Sequence, residues 1–161
     1  MKTTNLKGID YRKGDATSPI GEGNKLIVHI CNDIGGWGKG FVVAISKKWR
    51  APELHYRQWF KSNEAFGLGE VQFVKVEETI CVANMIAQHT IKRTHGQVPI
   101  RYDAVEKCLE KVTQFALENS FSIHMPRIGC GLAGGKWSEI EKIIERTLIA
   151  ANLTVIVYDF E

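Results

Sequence analysis

Two glycine-rich stretches are the parts of this sequence best suited to chemistry. One runs from Met125 to Trp137 after a short run with strand character, and the other runs from Asn32 to Gly40. A glycine-rich turn between a strand and a helix leaves backbone N–H groups uncovered, and the helix dipole favours negative charge there. A tight turn that packs backbone against backbone explains either stretch alone. Two such loops at one edge favour a ligand, and together they can clasp a diphosphate from two sides.

Two common nucleotide-binding motifs, the dinucleotide-binding fingerprint and the Walker A motif, match these stretches only in part. The first stretch contains the pattern Gly-x-Gly-x-x-Gly, and Asp159 follows at about the distance of the acid that binds a ribose in dinucleotide folds. No second half follows for a nicotinamide, so a nicotinamide-dependent dehydrogenase remains only an alternative. In the second stretch Lys39 is followed by Gly40, where a Walker A motif needs Ser or Thr. This departure argues against ATPase chemistry.

The elements that must position these loops follow from the hydrophobic pattern. Strands are expected at residues 9–13, 25–31, 71–76, 80–86, 121–124 and 153–158. Helices are expected after residue 41, from about 54 to 62, from about 101 to 119 and from 138 to 151. Ser138 and Glu141 have the spacing of a capping box at the last helix start. The order β-β-α-α-β-β-α-β-α-β predicts one α/β domain over residues 1–161, with a central mixed sheet.

Composition limits the partners. The 161 residues have 44% hydrophobic and 24% charged residues and a net charge of +3, which suits a single anionic ligand better than a long nucleic-acid track. The four cysteines are widely spaced without a CxxC pair, so no metal site is expected. No signal peptide or membrane span is apparent. We therefore expect a cytoplasmic protein with reduced thiols, without membrane partner or cofactor.

Four segments of the chain match one known family. They are GDAT at residues 14–17, HICN with the following GGWGKG at 29–40, ANMIAQ at 83–88 and MPRIGCGL at 125–132, of which the last is the most specific. In these segments the chain resembles the macro domain family. The resemblance implies a three-layer α/β/α fold that binds ADP-ribose. It points to the branch containing ADP-ribose-1''-phosphate phosphatases and hydrolases that free ADP-ribose from acidic side chains.

The resemblance also implies which residues contact the ligand. Asp15 would bind the adenine amino group, although a turn aspartate explains it equally well on local grounds. Phe160 would lie near the adenosine, with a terminal core residue as the equal alternative. Lys39 and Arg127 would offset phosphate charge. The complete implied set of ligand-binding residues is Asp15, Ala16, Gly36, Gly38, Lys39, Gly40, Arg127, Ile128, Gly129, Cys130, Gly131, Leu132 and Phe160.

Three residues are candidates for catalysis. His29 lies in an apolar strand, where a hydrogen-bonded core histidine is the usual case, but a histidine can also serve as general acid or base. Asn32 can donate to and accept from ribose hydroxyls, or serve as a turn residue. Asp33 beside it can position a water molecule. These residue types suit hydrolysis of an ADP-ribose derivative.

One departure from the family pattern bears on the mechanism. A related hydrolase subgroup uses a lysine that forms a covalent adduct and an aspartate after the glycine-rich motif. Gln88 and Ala133 stand at those positions here. Direct attack by water is therefore expected, on ADP-ribose-1''-phosphate or on an ADP-ribosyl ester of an acidic side chain. A non-catalytic reader of ADP-ribose is the alternative, and a binder of RNA ends or oligoadenylate fits less well because the chain lacks a basic aromatic stripe.

Overall fold

A six-stranded mixed sheet forms the centre of the computed structural model, which describes residues 8–160. The strands are β1 (Asp10–Lys13), β2 (Asn24–Asn32), β3 (Val71–Glu77), β4 (Ile80–Gln88), β5 (Phe121–Met125) and β6 (Val155–Asp159). The helices are α1 (Phe41–Lys48), α2 (Ala51–Ser62), α3 (Tyr102–Asn119) and α4 (Trp137–Ile144), which continues as a π-helical turn (Glu145–Ile149). The element order agrees with the order expected from the hydrophobic pattern.

The layers follow from the burial of both sheet faces. β2 and β4 pair in the middle of the sheet and are almost entirely buried, which is why their sequences are nearly continuous apolar runs. One face packs against α3 and α4, with Val105 and Ile140 in that core. The other face packs against α1 and α2, with Ile45 and Tyr56 in that core. This is the expected three-layer α/β/α arrangement, and the fold prediction is confirmed.

The strand order brings both glycine-rich loops to one edge of the sheet. The order is β1-β6-β5-β2-β4-β3, and each neighbouring pair is parallel except the β3–β4 hairpin. The carboxyl ends of the five mutually parallel strands therefore meet at one edge. Ligands of open α/β sheets bind outside these ends. The loops after β2, β4 and β5 all begin there.

The expected capping box at the start of α4 is wrong. The helix begins one residue earlier, at Trp137, and its N-cap residue Lys136 makes no side-chain capping bond. The backbone N–H of Lys136 donates instead to Tyr102 Oη at 2.9 Å. The carboxylate of Glu141 accepts from Tyr11 Oη and so is engaged away from the helix start. Hydrogen bonds to residues distant in sequence, Tyr102 and Tyr11, therefore replace the local capping bonds that the spacing indicated.

Two negative findings hold for residues 8–160. No helix there combines the length and the apolarity needed to cross a bilayer. Nor do three or more histidine, cysteine, aspartate or glutamate side chains gather there as a metal site would require.

Candidate functional site

A cavity of about 600 Å³ opens at the carboxyl edge of the sheet, between the loops that follow β2, β4 and β5. Of the residues expected at a ligand site, it brings together His29, Asn32, Gly36, Gly38, Lys39, Gly40, Arg127, Ile128, Gly129, Gly131 and Leu132. Asp15, Ala16, Asp33, Cys130 and Phe160 are not part of its wall. The two glycine-rich loops thus face one shared space, as a clasp requires.

Uncovered backbone N–H groups line one side of the cavity. The N-cap residue of α1 is Gly40, and no side chain caps this helix start. The N–H groups of Gly38, Lys39 and Gly40 donate to no acceptor in the described part of the chain. Because the first turn of a helix leaves donors free and carries a partial positive charge, this side is suited to an anion.

The loop after β5 presents a second set of donors. Gly135 donates to the carbonyl of Gly129 at 2.7 Å, and Gly134 donates to the carbonyl of Gly131 at 3.1 Å. A Cβ at position 135 would lie 2.5 Å from the Gly129 oxygen, so this turn needs glycine for its own closure. Within residues 8–160, the N–H groups of Gly131 and Leu132 find no acceptor. The glycines therefore serve the turn and also leave donors exposed to the cavity.

The charged side chains of the cavity wall are all cationic. Lys39 and Lys92 line the wall, and neither forms an ion pair with a described residue. Arg127 also lines it, but its guanidinium forms two hydrogen bonds with Asp159, at 2.6 and 3.0 Å. The same guanidinium lies 5.0 Å from the Tyr11 ring centroid and 5.2 Å from that of Trp137. The charge of Arg127 is therefore largely balanced within the protein.

The Asn32 side chain is used to build its own loop. Its Oδ1 accepts from the N–H groups of Ile34 and Gly36 and from Tyr56 Oη, while its Nδ2 donates to the Gly36 carbonyl at 3.0 Å. These bonds hold the start of the glycine-rich loop against β2 and α2. Only one N–H of this amide remains for a ligand. The turn interpretation accounts for most of its hydrogen-bonding capacity.

Asp33 joins two of the loops around the cavity. Its Oδ2 lies 2.7 Å from His89 Nδ1, and its Oδ1 accepts from the Thr90 N–H at 2.8 Å. Both carboxylate oxygens are thus occupied by the loop that follows β4. The geometry fits a residue that holds this loop in place.

Asp33→Ala is expected to lower the free energy of unfolding by about 1–3 kcal/mol and to weaken ligand binding several-fold, because the loop carrying Lys92 is released. Urea unfolding and calorimetry measure the two effects. Asp33→Asn keeps an acceptor for the Thr90 N–H, so it should lose less stability and less ligand affinity than Asp33→Ala. A variant that binds normally but turns over a substrate at least a hundredfold more slowly would instead identify Asp33 as a water-positioning residue.

His29 is 1% exposed and lies among aromatic rings at the inner end of the cavity. Burial lowers its pKa to about 4, against a hydrogen bond to Asn84 that raises it. The ring is therefore neutral at pH 7. A neutral imidazole is a very weak acid through its remaining N–H, and one with so low a pKa is also a weak base.

The two residues that mark the departure from the hydrolase subgroup border this space. Gln88 donates to the carbonyl of Thr90 at 2.9 Å, and Ala133 is 6% exposed. Both line the cavity wall. No aspartate or glutamate belongs to the described cavity wall.

Asp15 and Phe160 follow β1 and β6, at the same edge of the sheet but outside the cavity wall. Asp15 Oδ1 accepts from the N–H and the hydroxyl of Thr17, at 2.9 and 2.7 Å, which is a turn arrangement. Phe160 is 78% exposed, so the core interpretation of this residue does not hold. An exposed aromatic ring at this edge remains available to a ligand.

Several residues of the cavity wall were not predicted from the sequence. Ile91 and Lys92 belong to a stretch that is polar and irregular in sequence, yet it begins at the carboxyl end of β4 and so had a positional signal. Trp37 and Phe41 were not among the candidate site residues. They do pack in the α1–α2 core, but they also border the cavity.

Comparison with solved structures identifies close relatives of the whole fold. A protein of unknown function from Bacteroides thetaiotaomicron is 60% identical, with a TM-score of 0.96 over 97% of this chain and all of the other. A macrodomain protein from Streptomyces coelicolor is 48% identical, with a TM-score of 0.86 over 95% of this chain and 99% of the other.

Curated proteins show more distant likeness. The mouse chromodomain-helicase-DNA-binding protein 1-like is 30% identical over 94% of this chain, and the chain spans about a fifth of its length (18%). An ADP-ribose 1''-phosphate phosphatase from Candida albicans is 28% identical, covering 85% of this chain and 92% of that protein. The bovine ADP-ribose glycohydrolase OARD1 is 27% identical, covering 93% and 90%. No family model matches the sequence.

Proposed function

The chain belongs to the macrodomain family, and from this premise we propose that it binds ADP-ribose and hydrolyses an ADP-ribose derivative at the distal ribose. The observation that supports this most is the pair of N–H-lined loops facing one cavity of about 600 Å³. A cavity of this size suits a drug-sized ligand.

In this proposal the diphosphate lies between the start of α1 and the loop around Gly131. The backbone donors there hold phosphate oxygens without help from a side chain. The two unpaired lysines of the cavity wall, Lys39 and Lys92, add positive charge. The distal ribose would lie beside the loop that Asn32 organises. The adenosine would extend towards Asp15 and Phe160, at the carboxyl ends of β1 and β6.

Direct attack by water is the hydrolytic route that fits these residues. Gln88 and Ala133 offer neither an amine for a covalent adduct nor a carboxylate. The ligand's own phosphate can help to activate the water. The proposed substrates are ADP-ribose-1''-phosphate, which the name of the Candida albicans relative gives, and an ADP-ribosyl ester of an acidic side chain, which the family resemblance implies.

A non-catalytic reader of ADP-ribose is the second candidate, and a specific observation favours it. The described cavity wall has no carboxylate, and both oxygens of the neighbouring Asp33 are engaged with the next loop. A protein with this site can bind ADP-ribose tightly without a group that activates water.

Calorimetry with ADP-ribose, ATP and NAD, beside turnover assays on the two candidate substrates, separates these functions. We expect ADP-ribose to bind at least about ten times more tightly than ATP or NAD, because the site clasps a diphosphate with a free distal ribose. Equal affinity for all three would contradict the assignment of the cavity. Selective binding without release of phosphate or of the acidic side chain would favour the reader.

A further inference from the structure

One ring nitrogen at the inner end of the cavity lacks a hydrogen-bond partner. His29 lines the cavity, is 1% exposed and leaves Nδ1 unpartnered. Among the side chains that the structure describes, Nδ1 of His29 is the one buried nitrogen or oxygen atom that forms no hydrogen bond. Such an atom normally has a partner, so its position beside a ligand cavity requires an explanation.

A chain of side-chain amides fixes which nitrogen of His29 carries the proton. Asn84 Nδ2 donates to the Pro52 carbonyl at 3.2 Å and to Gln72 Oε1 at 3.0 Å. Gln72 Nε2 in turn donates to the His55 carbonyl at 3.0 Å. With its donor end committed, Asn84 presents Oδ1 to His29 Nε2, which lies 2.6 Å away. The Nε2 atom must therefore bear the hydrogen, and Nδ1 keeps its lone pair.

Two aromatic residues pack against the His29 ring, and one of them is held by a hydrogen bond. Trp37 stands edge-on to the His29 ring at 5.5 Å between centroids and is anchored by its Nε1–H to Ser46 Oγ at 2.7 Å. Phe41 lies 6.0 Å from the ring at the first position of α1 and has no such anchor. Both line the cavity. His29 is therefore enclosed by side chains that themselves belong to the cavity wall.

We propose that His29 Nδ1 is a fixed hydrogen-bond acceptor for an O–H group of the ligand, or of a water molecule bound with it, and that Asn84 is the positioning residue that holds this tautomer. This inference rests on the proposed function, because the donor comes with the ADP-ribose ligand. It changes the role of His29 from a proton-transfer group to a selector of hydroxyl donors.

His124 provides an internal contrast. It is also 1% exposed, but both of its nitrogens are engaged, Nε2 with Ser122 Oγ and Nδ1 with Tyr158 Oη, each at 2.8 Å. It does not belong to the cavity wall. The two histidines are therefore equally buried, but of the two it is His29 that belongs to the cavity wall and has an unpartnered ring nitrogen.

No charged group among those described around His29 contacts its ring, so the hydrogen bond to Asn84 decides which ring nitrogen carries the hydrogen. The titratable side chain next to His29 is Cys31 on the same strand, whose Sγ lies 3.9 Å from Nε2, and Tyr56 on α2 packs against Trp37, one ring further away. Burial raises the pKa of both, so that they stay neutral. Glu53 on α2 accepts from Ser46, one hydrogen bond beyond Trp37. On the β4 side the contact is the neutral amide of Asn84. Burial accordingly keeps the pKa of His29 at about 4.

Nitrogen-15 NMR of the histidine-labelled protein tests the acceptor directly. Without ligand, His29 should give one protonated and one unprotonated ring nitrogen. ADP-ribose should shift the unprotonated resonance towards the protonated position, as a new hydrogen bond does, while both His124 resonances stay in place. An unmoved His29 resonance at saturating ADP-ribose would overturn the proposal. If the wild-type protein does not bind ADP-ribose at all, the proposed function itself is refuted.

A variant of Asn84 and a matched control at Gln72 test the positioning residue. Asn84→Asp places a carboxylate on Nε2–H, which favours the imidazolium and puts a proton on Nδ1. Its affinity for ADP-ribose should equal that of the wild type at pH 8 and fall about tenfold by pH 5, whereas the wild type stays nearly constant. Gln72→Glu adds the same charge one hydrogen bond further away and keeps an acceptor for Asn84, so its pH dependence should follow the wild type.

Parallel pH profiles for the wild type and Asn84→Asp would overturn the assignment of Asn84. A purely structural role would lower the affinity equally at each pH, which is the same negative outcome. If Asn84→Asp does not fold, the NMR measurement on the wild type decides alone.

Discussion

Gly131→Glu is expected to weaken ADP-ribose binding by at least about a hundredfold, or about 2.7 kcal/mol, with the fold intact. Gly131 is exposed on the cavity wall, and a Cβ built on it meets no atom within 4 Å. The new side chain therefore projects into the ligand space without disturbing the loop. Its carboxylate would lie where the diphosphate binds, and like charges repel strongly at short range. Calorimetry measures the loss.

Gly67→Glu is the matched control. Position 67 also has no atom within 4 Å of a built Cβ, and it lies outside the cavity wall. This variant adds the same charge and should bind ADP-ribose like the wild type. Circular dichroism and thermal unfolding establish that both variants are folded. Normal binding by a folded Gly131→Glu would show that the loop does not hold the diphosphate.

Acid is expected to destabilise the protein between about pH 6.5 and pH 4. Burial lowers the pKa of both His29 and His124 from 6.5 to about 4. In this window the unfolded chain binds protons that the folded protein does not, so the free energy of unfolding decreases as the pH falls. Each histidine contributes on the order of 3 kcal/mol, which is fully present above pH 6.5 and lost as the pH reaches 4.

Urea unfolding at pH 7 and at pH 4.5 measures this effect. His124→Gln removes one of the two groups and should lose about half of the pH dependence. The exposed His55 on α2 gives the control, because His55→Gln makes the same substitution at a histidine outside the core. An equal free energy of unfolding at both pH values would contradict the neutral, buried state of these histidines.

The loops and their placement were predictable because they depend on local pattern. The apolar runs of β2 and β4 indicate strands buried on both faces, and their carboxyl ends must meet in a parallel sheet. Tyr102–Asn119 is a helix of regular apolar spacing and was expected to within one residue. The identity of the expected ligand, ADP-ribose, came from the resemblance of four segments to the macro domain family.

The use of individual side chains was less predictable because it depends on distant partners. Arg127 was expected to offset phosphate charge; it lines the cavity, and its guanidinium also forms an ion pair with Asp159 that local spacing does not indicate. Asn32 was expected to contact ribose, but Tyr56 and its own loop occupy most of the amide. His29 was expected in a buried strand and lies there, but its tautomer is set by Asn84 on another strand. None of these pairings has a signal in local spacing.

The pairing of β1 with β6 has a consequence for how the protein folds. It joins Asp10 to Ile156, so the outer strand docks only by closing a very large loop of chain. Contacts of high sequence separation are slow to form because the entropy of loop closure opposes them. The glycine-rich loops follow β2 and β5 inside the sheet, whereas Asp15 follows the outer strand β1. In the proposed binding mode the adenosine end therefore depends on the strand pairing with the largest loop closure, whereas the diphosphate end depends on strands inside the sheet.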